Sequence, residues 1–259
     1  MGIGRATAHA FALAGARAIY ICDLHPTNLS AISSELFNLG GRSPDLEVHV
    51  RAFDVAESVS VREVIHHAID TYGHLDVFFA NAGIATALPL PRITEDAFMQ
   101  TLRTNVLSTF LAIKCAAPAL QISHSSKPGQ GGSIIATASV AALRSNAGSS
   151  DYSASKAAVV SLVQTSAYQL AGTGVRVNAI CPGLIETGMT SLMFEQARSK
   201  GTEGKIGQLN PMQRAGCADE VARVAVTLAG MEGSYVNGQA WAVDGGLSAG
   251  LPFVKGKMA

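Results

Sequence analysis

An excess of charge of either sign is missing from this sequence. Nineteen Lys and Arg residues face nineteen Asp and Glu, and charged residues make up only 15% of the chain. Neutralising a nucleic-acid backbone or an anionic bilayer takes clustered Lys and Arg, so neither is expected as the main partner. Long apolar runs are also missing: no stretch approaches the ~20 residues that a membrane helix requires. A charged segment followed by an apolar one, the mark of a secretory signal, does not open the chain. Cysteines are few and scattered. Cys22, Cys115, Cys181 and Cys217 show no paired spacing, which argues against a metal cluster or a disulfide framework and for a reducing, cytoplasmic setting.

Apolar residues and glycines are plentiful, at 48% of the chain and 26 residues respectively. A chain of this length buries roughly 75% of its unfolded surface, enough for a core without staples. Short apolar runs rich in branched residues alternate with helical stretches. Ala16 to Asp23, Glu47 to Phe53, Leu75 to Ala80, Ser133 to Ala138, Val175 to Cys181 and Gln239 to Val243 read as strands. Between them, helical spacing runs from Pro26 to Leu39, Val59 to Tyr72, Ser153 to Leu170 and Asp219 to Leu228, and one long helix is expected from Thr94 to about Leu120. Strands apolar on both faces that alternate with helices imply an α/β fold, a parallel sheet covered on both sides. With no repeat or linker in view, residues 1–259 read as a single doubly wound domain.

In such sheets ligands bind beyond the carboxyl ends of the strands. Gly2-Ile3-Gly4 opens an Ala-rich helix, where backbone N–H groups and the helix dipole favour a pyrophosphate. Asp23 ends the next strand, nineteen residues after Gly4. A carboxylate there accepts the ribose hydroxyls of a dinucleotide and repels a 2′-phosphate, which favours NAD(H) over NADP(H). Tyr152 and Lys156 stand at i and i+4 on one helix. An ammonium beside the phenol would favour the phenolate, and lowering its pKa by about 3 units takes roughly 4 kcal/mol. Ser139, at the end of the strand Ser133 to Ala138, is placed to bind the same substrate oxygen. Read singly, each of these has an ordinary explanation: a helix start, a capping Asp, a solvated Lys, a turn Ser.

Taken in order, the motifs resemble those of the short-chain dehydrogenase/reductase family over almost the whole chain. They are Gly2-Ile3-Gly4, Asp23, Asp54-Val55, Asn81-Ala82-Gly83, Asn105, Ser139, Tyr152 to Lys156, Pro182-Gly183-Leu184-Ile185-Glu186-Thr187, Pro211 to Gly216 and Val243-Asp244-Gly245-Gly246. The resemblance implies a Rossmann-like fold and hydride transfer between a nicotinamide dinucleotide and a secondary alcohol or ketone. It implies that Asn105, Ser139, Tyr152 and Lys156 form the catalytic set. Asp54 and Val55 would flank the adenine, and Asn81, Ala82 and Gly83 would line the cofactor cleft. Lys156 would also bind the nicotinamide ribose, while Pro182, Gly183, Ile185 and Thr187 would border the nicotinamide. Residues 184–216 would form a substrate lid, whose Met189, Leu192, Met193 and Phe194 imply a largely apolar substrate. The family's habit implies a homodimer or homotetramer, built partly on the helices that carry Asn105 and Tyr152.

One departure stands out. The family pattern begins with a strand and a Thr-Gly turn before Gly-Ile-Gly, whereas here Met1 directly precedes Gly2. An N-terminally truncated form of the fold, lacking its first central strand and first phosphate-loop glycine, is therefore expected, with strands on either side losing ladder partners. The competing reading is a non-catalytic or defective protein of the same fold.

Overall fold

The computed structural model describes residues 2–125, 127 and 131–251. In chain order the elements are α1 (Ile3–Leu13), β1 (Ala18–Asp23), α2 (Pro26–Phe37), β2 (Glu47–Ala52), α3 (Ser58–Tyr72), β3 (Val77–Ala80) and α4 (Glu95–Leu102). A turn of π-helix (Arg103–Leu107) leads into α5 (Ser108–Leu120), followed by β4 (Ser133–Thr137), α6 (Ser150–Gln169) and β5 (Arg176–Pro182). Two-residue strands β6 (Ile185–Glu186) and β7 (Gly216–Cys217) enclose α7 (Ser191–Ser199), and α8 (Ala218–Ala229) and β8 (Ala240–Val243) complete the described chain. Every strand pairing is parallel.

The centre of the molecule is the β3-β4-β5-β8 sheet. Alternation along β4 sends Ile134 and Ala136 to one face and Ile135 to the other, all fully buried. The first face packs on Ala116 and Leu120 of α5 and on Val159 and Val163 of α6. The second packs on Val221, Ala222, Ala225 and Leu228 of α8, with Ala6 of α1 beside them. Each fully buried Leu, Ile or Val contributes about 1.5–3 kcal/mol, so these two layers fix the sheet that carries Ser139 and Pro182-Gly183 at its carboxyl edge.

The doubly wound architecture is as expected, but the ladder is not continuous. β1 and β2 form a separate two-stranded sheet, and no strand pairs with β3 on its side away from β4 among the described residues. Every residue of β1 and β3 is only half-buried, in contrast to the buried interior of β4 and β5. Helix α1 spans the division. Its Ile3, Ala6 and Ala10 join the cluster containing Val77 and Phe79 of β3, and its Ala8 and Ala12 join the one containing Ile19 and Ile21 of β1.

Two further differences concern helices. Thr94 caps α4 as expected, its hydroxyl accepting from the Ala97 N–H at 3.2 Å. The helix that follows is not uniform, because the π turn at Arg103–Leu107 separates α4 from α5. The stretch between Leu184 and Gly216 is also more ordered than its irregular composition implies. It contains α7, and its two ends are laddered together by Ile185↔Gly216 and Glu186↔Cys217.

A consequence for dynamics can be measured. Amide hydrogen exchange should be slowest in β4 and β5, and distinctly faster in β1 and β2, whose small sheet shares no ladder with the main one. Equal protection of the two sheets would contradict the division described here.

Candidate active site

Helix α6 presents Tyr152 and Lys156 on the face turned toward the carboxyl end of β4. Lys156 is buried, with 3% of its surface exposed. Its Nζ donates to the Thr137 carbonyl at 2.7 Å and lies 5.7 Å from the centroid of the Tyr152 ring. Burial pushes the ammonium down to about 8, only partly opposed by the nearby Cys181 thiol. Burial also raises the Tyr152 phenol above its ordinary value, and the Ser139 hydroxyl opposes that rise. The expected lowering of the phenol by Lys156 is thus not what this arrangement carries. Desolvation outweighs it, because the ammonium is turned to a peptide carbonyl rather than to the phenol oxygen. A protonated phenol beside the Ser139 hydroxyl is suited to giving a proton to a carbonyl oxygen.

Asn105 sits in the middle of the π turn and is 1% exposed. Its Oδ1 accepts from the Ile84 N–H at 2.8 Å, and its Nδ2 donates to the Ile84 carbonyl at 3.0 Å and to Ser155 Oγ at 2.9 Å. Ser155 Oγ donates in turn to the Tyr152 carbonyl at 2.7 Å. Asn105 therefore ties the loop after β3 to α6; a buried amide in a helix is stable only with such partners. Gly83 lies between these groups. A Cβ at Gly83 would stand 3.1 Å from Asn105 Oδ1 and 3.2 Å from Lys156 Nζ.

Asn81 joins the same network, its Oδ1 accepting from Thr137 Oγ1 at 3.0 Å. A Cβ on Gly4 would lie 2.8 Å from Asn81 Nδ2, so the start of α1 docks closely against this loop. Gly2 is the N-cap of α1, in an extended conformation, and nothing lies near where its Cβ would be. The close approach is therefore the property of Gly4. The first-turn N–H groups of a helix lack intrahelical acceptors, and with Gly2, Ile3 and Gly4 they present donors for an anionic group.

The remaining expected residues are distributed unevenly. Asp23 ends β1, and its Oδ1 accepts from the His25 N–H at 2.8 Å. Asp54 is committed on both oxygens: Oδ1 accepts from the Ala56 N–H at 2.8 Å, and Oδ2 pairs with the Arg103 guanidinium. These partners hold its carboxyl below the usual range against the opposing effect of burial. Val55 is half-buried and Ala82 exposed. Pro182 is buried at the end of β5, and a Cβ on Gly183 would press on Asp244 Cα at 2.7 Å. Ile185 is 5% exposed and packs into the core with Ala6 and Val221, so its side chain belongs to the core. Thr187 N–H donates to Thr190 Oγ1 at 2.9 Å, and Thr190 donates to the Ile185 carbonyl at 2.7 Å. Thr137, Ser155, Arg103 and Thr190 were not singled out by sequence. Ser155 lies inside the Tyr152–Lys156 motif, but Thr137 acts through a carbonyl that any residue possesses.

The family described as Enoyl-(Acyl carrier protein) reductase matches residues 1–248. The chain belongs to the short-chain dehydrogenase/reductase family. It is 35% identical to a 3-oxoacyl-[acyl-carrier-protein] reductase of Thermotoga maritima, over 95% of this chain and 93% of that protein. The crystal structure of a levodione reductase superposes with a TM-score of 0.85 at 32% identity, covering 96% of this chain and 94% of that one. The structure titled ElxO with NADP bound superposes with a TM-score of 0.83 at 25% identity, covering 96% and 95%. The chain is accordingly an NAD(P)-dependent oxidoreductase of the alcohol/ketone class. The residues present fit such a dinucleotide: Gly83 keeps the space beside Lys156 Nζ clear, and Gly4 lets the start of α1 close on Asn81.

Placing an ammonium in the interior costs stability, and the sign of that cost is testable. Lys156 holds its proton only below about 8 when folded, against about 10.4 in an unfolded chain. The unfolded state binds more protons between these values, so stability rises with pH across that window and the full penalty of about 3 kcal/mol applies below it. Lys156→Met should raise the Tm at pH 7 more than at pH 10. An equal shift at both values would refute the assignment of a buried charge.

Proposed function

We propose that this protein is an NAD(H)-preferring dehydrogenase or ketoreductase for a secondary alcohol/ketone pair, with Tyr152 as the proton-transferring acid and base. The observation that carries this reading is the convergence of the Tyr152 phenol, the Ser139 hydroxyl and the buried Lys156 ammonium at one sheet edge.

The bound dinucleotide supplies the hydride; the chain supplies orientation and the proton. Ser139 Oγ accepts from the Ala141 N–H at 3.1 Å, and its hydroxyl stands against the Tyr152 phenol, so both groups can meet one substrate oxygen. The Tyr152 phenol gives its proton to that same oxygen as a carbonyl is reduced, and takes it back in the reverse direction. Lys156, fixed by Thr137, holds positive charge beside the phenol and would bind the nicotinamide ribose. Asn105, Asn81, Ala82 and Gly83 would keep that side of the cleft in register, while Pro182, Gly183, Ile185 and Thr187 would border the nicotinamide. Gly2, Ile3 and Gly4 would take the pyrophosphate. Val55 and the Asp54 loop would border the adenine, although the pairing of Asp54 with Arg103 makes it a weaker adenine ligand than the family pattern implies.

Asp23 supports NAD(H). Its carboxylate stands at the end of β1, with Oδ1 accepting from the His25 N–H; a 2′-phosphate bound there would meet that charge. A largely apolar substrate is supported by the lid, residues 184–216 of this single domain, where Met189, Leu192, Leu209 and Met212 are exposed. Phe194 is buried and anchors α7 instead of facing substrate. A homodimer or homotetramer is supported by an open apolar groove formed by Met99, Leu102, Val106, Leu107, Phe110 and Leu162 on α4, the π turn, α5 and α6. Four unpaired thiols suit a reducing, cytoplasmic location, and no helix of the described residues is long and apolar enough to cross a membrane.

Tyr152→Phe should abolish ketone reduction, by about 1000-fold or more in kcat given what general acid catalysis contributes, with NADH binding by fluorescence nearly intact. Unchanged turnover would remove Tyr152 from its role. The same assay run with NADPH should give the lower kcat/KM; a preference for NADPH would refute the reading of Asp23. Phe110→Glu should shift the protein to a smaller species on size-exclusion chromatography, and an unchanged elution volume would overturn the groove as the subunit contact.

A further inference from the structure

Asp151 directly precedes Tyr152 and is fully buried. None of the ion pairs among the described residues includes it. A lone buried carboxylate is costly unless it is fully hydrogen-bonded. Asp151 is: Thr101 Oγ1 donates to its Oδ2 at 2.7 Å, and Thr86 Oγ1 donates to its Oδ1 at 3.0 Å. The Ser149 hydroxyl and the Tyr152 N–H add to the stabilisation of its charge. Burial pushes its carboxyl up, but these donors together hold it below the ordinary value. A carboxylate in the first turn of a helix needs no burial to serve the helix dipole, and no partner fifty or more residues away. Dipole and capping roles therefore do not account for Thr86 and Thr101.

The segments that Asp151 gathers are those that Asn105 gathers. Thr86 lies two residues beyond Ile84, to which Asn105 is doubly bonded, and Thr101 lies on α4 just ahead of the π turn that carries Asn105. Between the two clasps stands the Tyr152 peptide. Asp151 is the residue immediately before it, and the Tyr152 carbonyl accepts from Ser155, which is itself bound to Asn105. Thr86 also contacts Ser149 Oγ at 3.2 Å, closing the ring around the start of α6.

We propose that Asp151 is a positioning residue, which clamps the first turn of α6 to the Thr86 loop and to α4 so that the Tyr152 phenol is aimed at the Ser139 hydroxyl. The proposal rests on the reading of Tyr152 as the proton-transferring group, and its test separates the two. Asp151→Ala, Asp151→Asn, Thr86→Val and Thr101→Val are compared with the unaltered protein by amide hydrogen exchange and by steady-state ketone reduction.

In Asp151→Ala the amides of residues 84–87 and 150–153 should exchange faster. Its kcat should fall by about 100-fold, the loss expected for a misplaced reacting group, while the NADH dissociation constant stays unchanged. Asp151→Asn, which keeps one acceptor, should recover most of that kcat, and each Thr→Val change should give a smaller loss. These two milder sets keep the question answerable if Asp151→Ala folds poorly. Unchanged exchange in residues 84–87 overturns the clamp whatever the activity. Faster exchange or a lower Tm with kcat unchanged overturns the positioning role and leaves the reading of Tyr152 standing. Should Tyr152→Phe turn over normally while Asp151→Ala exchanges faster, the reading of Tyr152 fails, and with it the aim assigned to the clamp.

Discussion

Lys156 carries an ammonium into the interior, and the hydrogen bond from its Nζ to the Thr137 carbonyl is the constraint on which the site depends. A charge so placed must be satisfied at once by a group that cannot move away. The carboxyl end of β4 provides one, because Ile134, Ile135 and Ala136 are locked between two helical layers. Thr137 then passes the constraint along. Its hydroxyl fixes Asn81, and Asn81 lies against Gly4 at the start of α1. Packing in the centre of the sheet thus sets the position of polar groups at its edge.

The molecule is uneven in how firmly it holds its two halves. One half stands on β4 and β5, buried on both faces. The other stands on β1 and β2, half-buried and joined to the rest through side chains of α1 and through Tyr20 and His49, which bond His67 and Tyr72 of α3. Asp23 is presented by the second half, Tyr152 and Lys156 by the first.

Much of this was legible in the sequence, for identifiable reasons. The strands could be read because β4 and β5 are apolar on both faces, and the Tyr152–Lys156 pair because i and i+4 positions share a face. Parallel pairing then brought Asn81, Ser139 and Gly183 to one edge. The π turn was not legible: Arg103 to Leu107 mixes polar and apolar residues, with no glycine or proline to mark a change of helix type. Nor could the sequence show that Asp54 is engaged by Arg103, forty-nine residues away, or that Lys156 turns to a backbone carbonyl. Burial of the phenol, which reverses the expected direction of its pKa, is a property of packing that spacing alone does not report.

The short ladder between β6 and β7 bears on the excursion it encloses. Ile185 opposite Gly216 and Glu186 opposite Cys217 pin together the two ends of a segment of about thirty residues. For a free loop of that length, bringing the ends together costs roughly 3 kcal/mol of chain entropy. Here that loss is already met by the fold before any ligand arrives. Met212 ties the segment a second time, its N–H donating to the Gly245 carbonyl at 3.3 Å, so further ordering competes little with the binding energy of a small substrate.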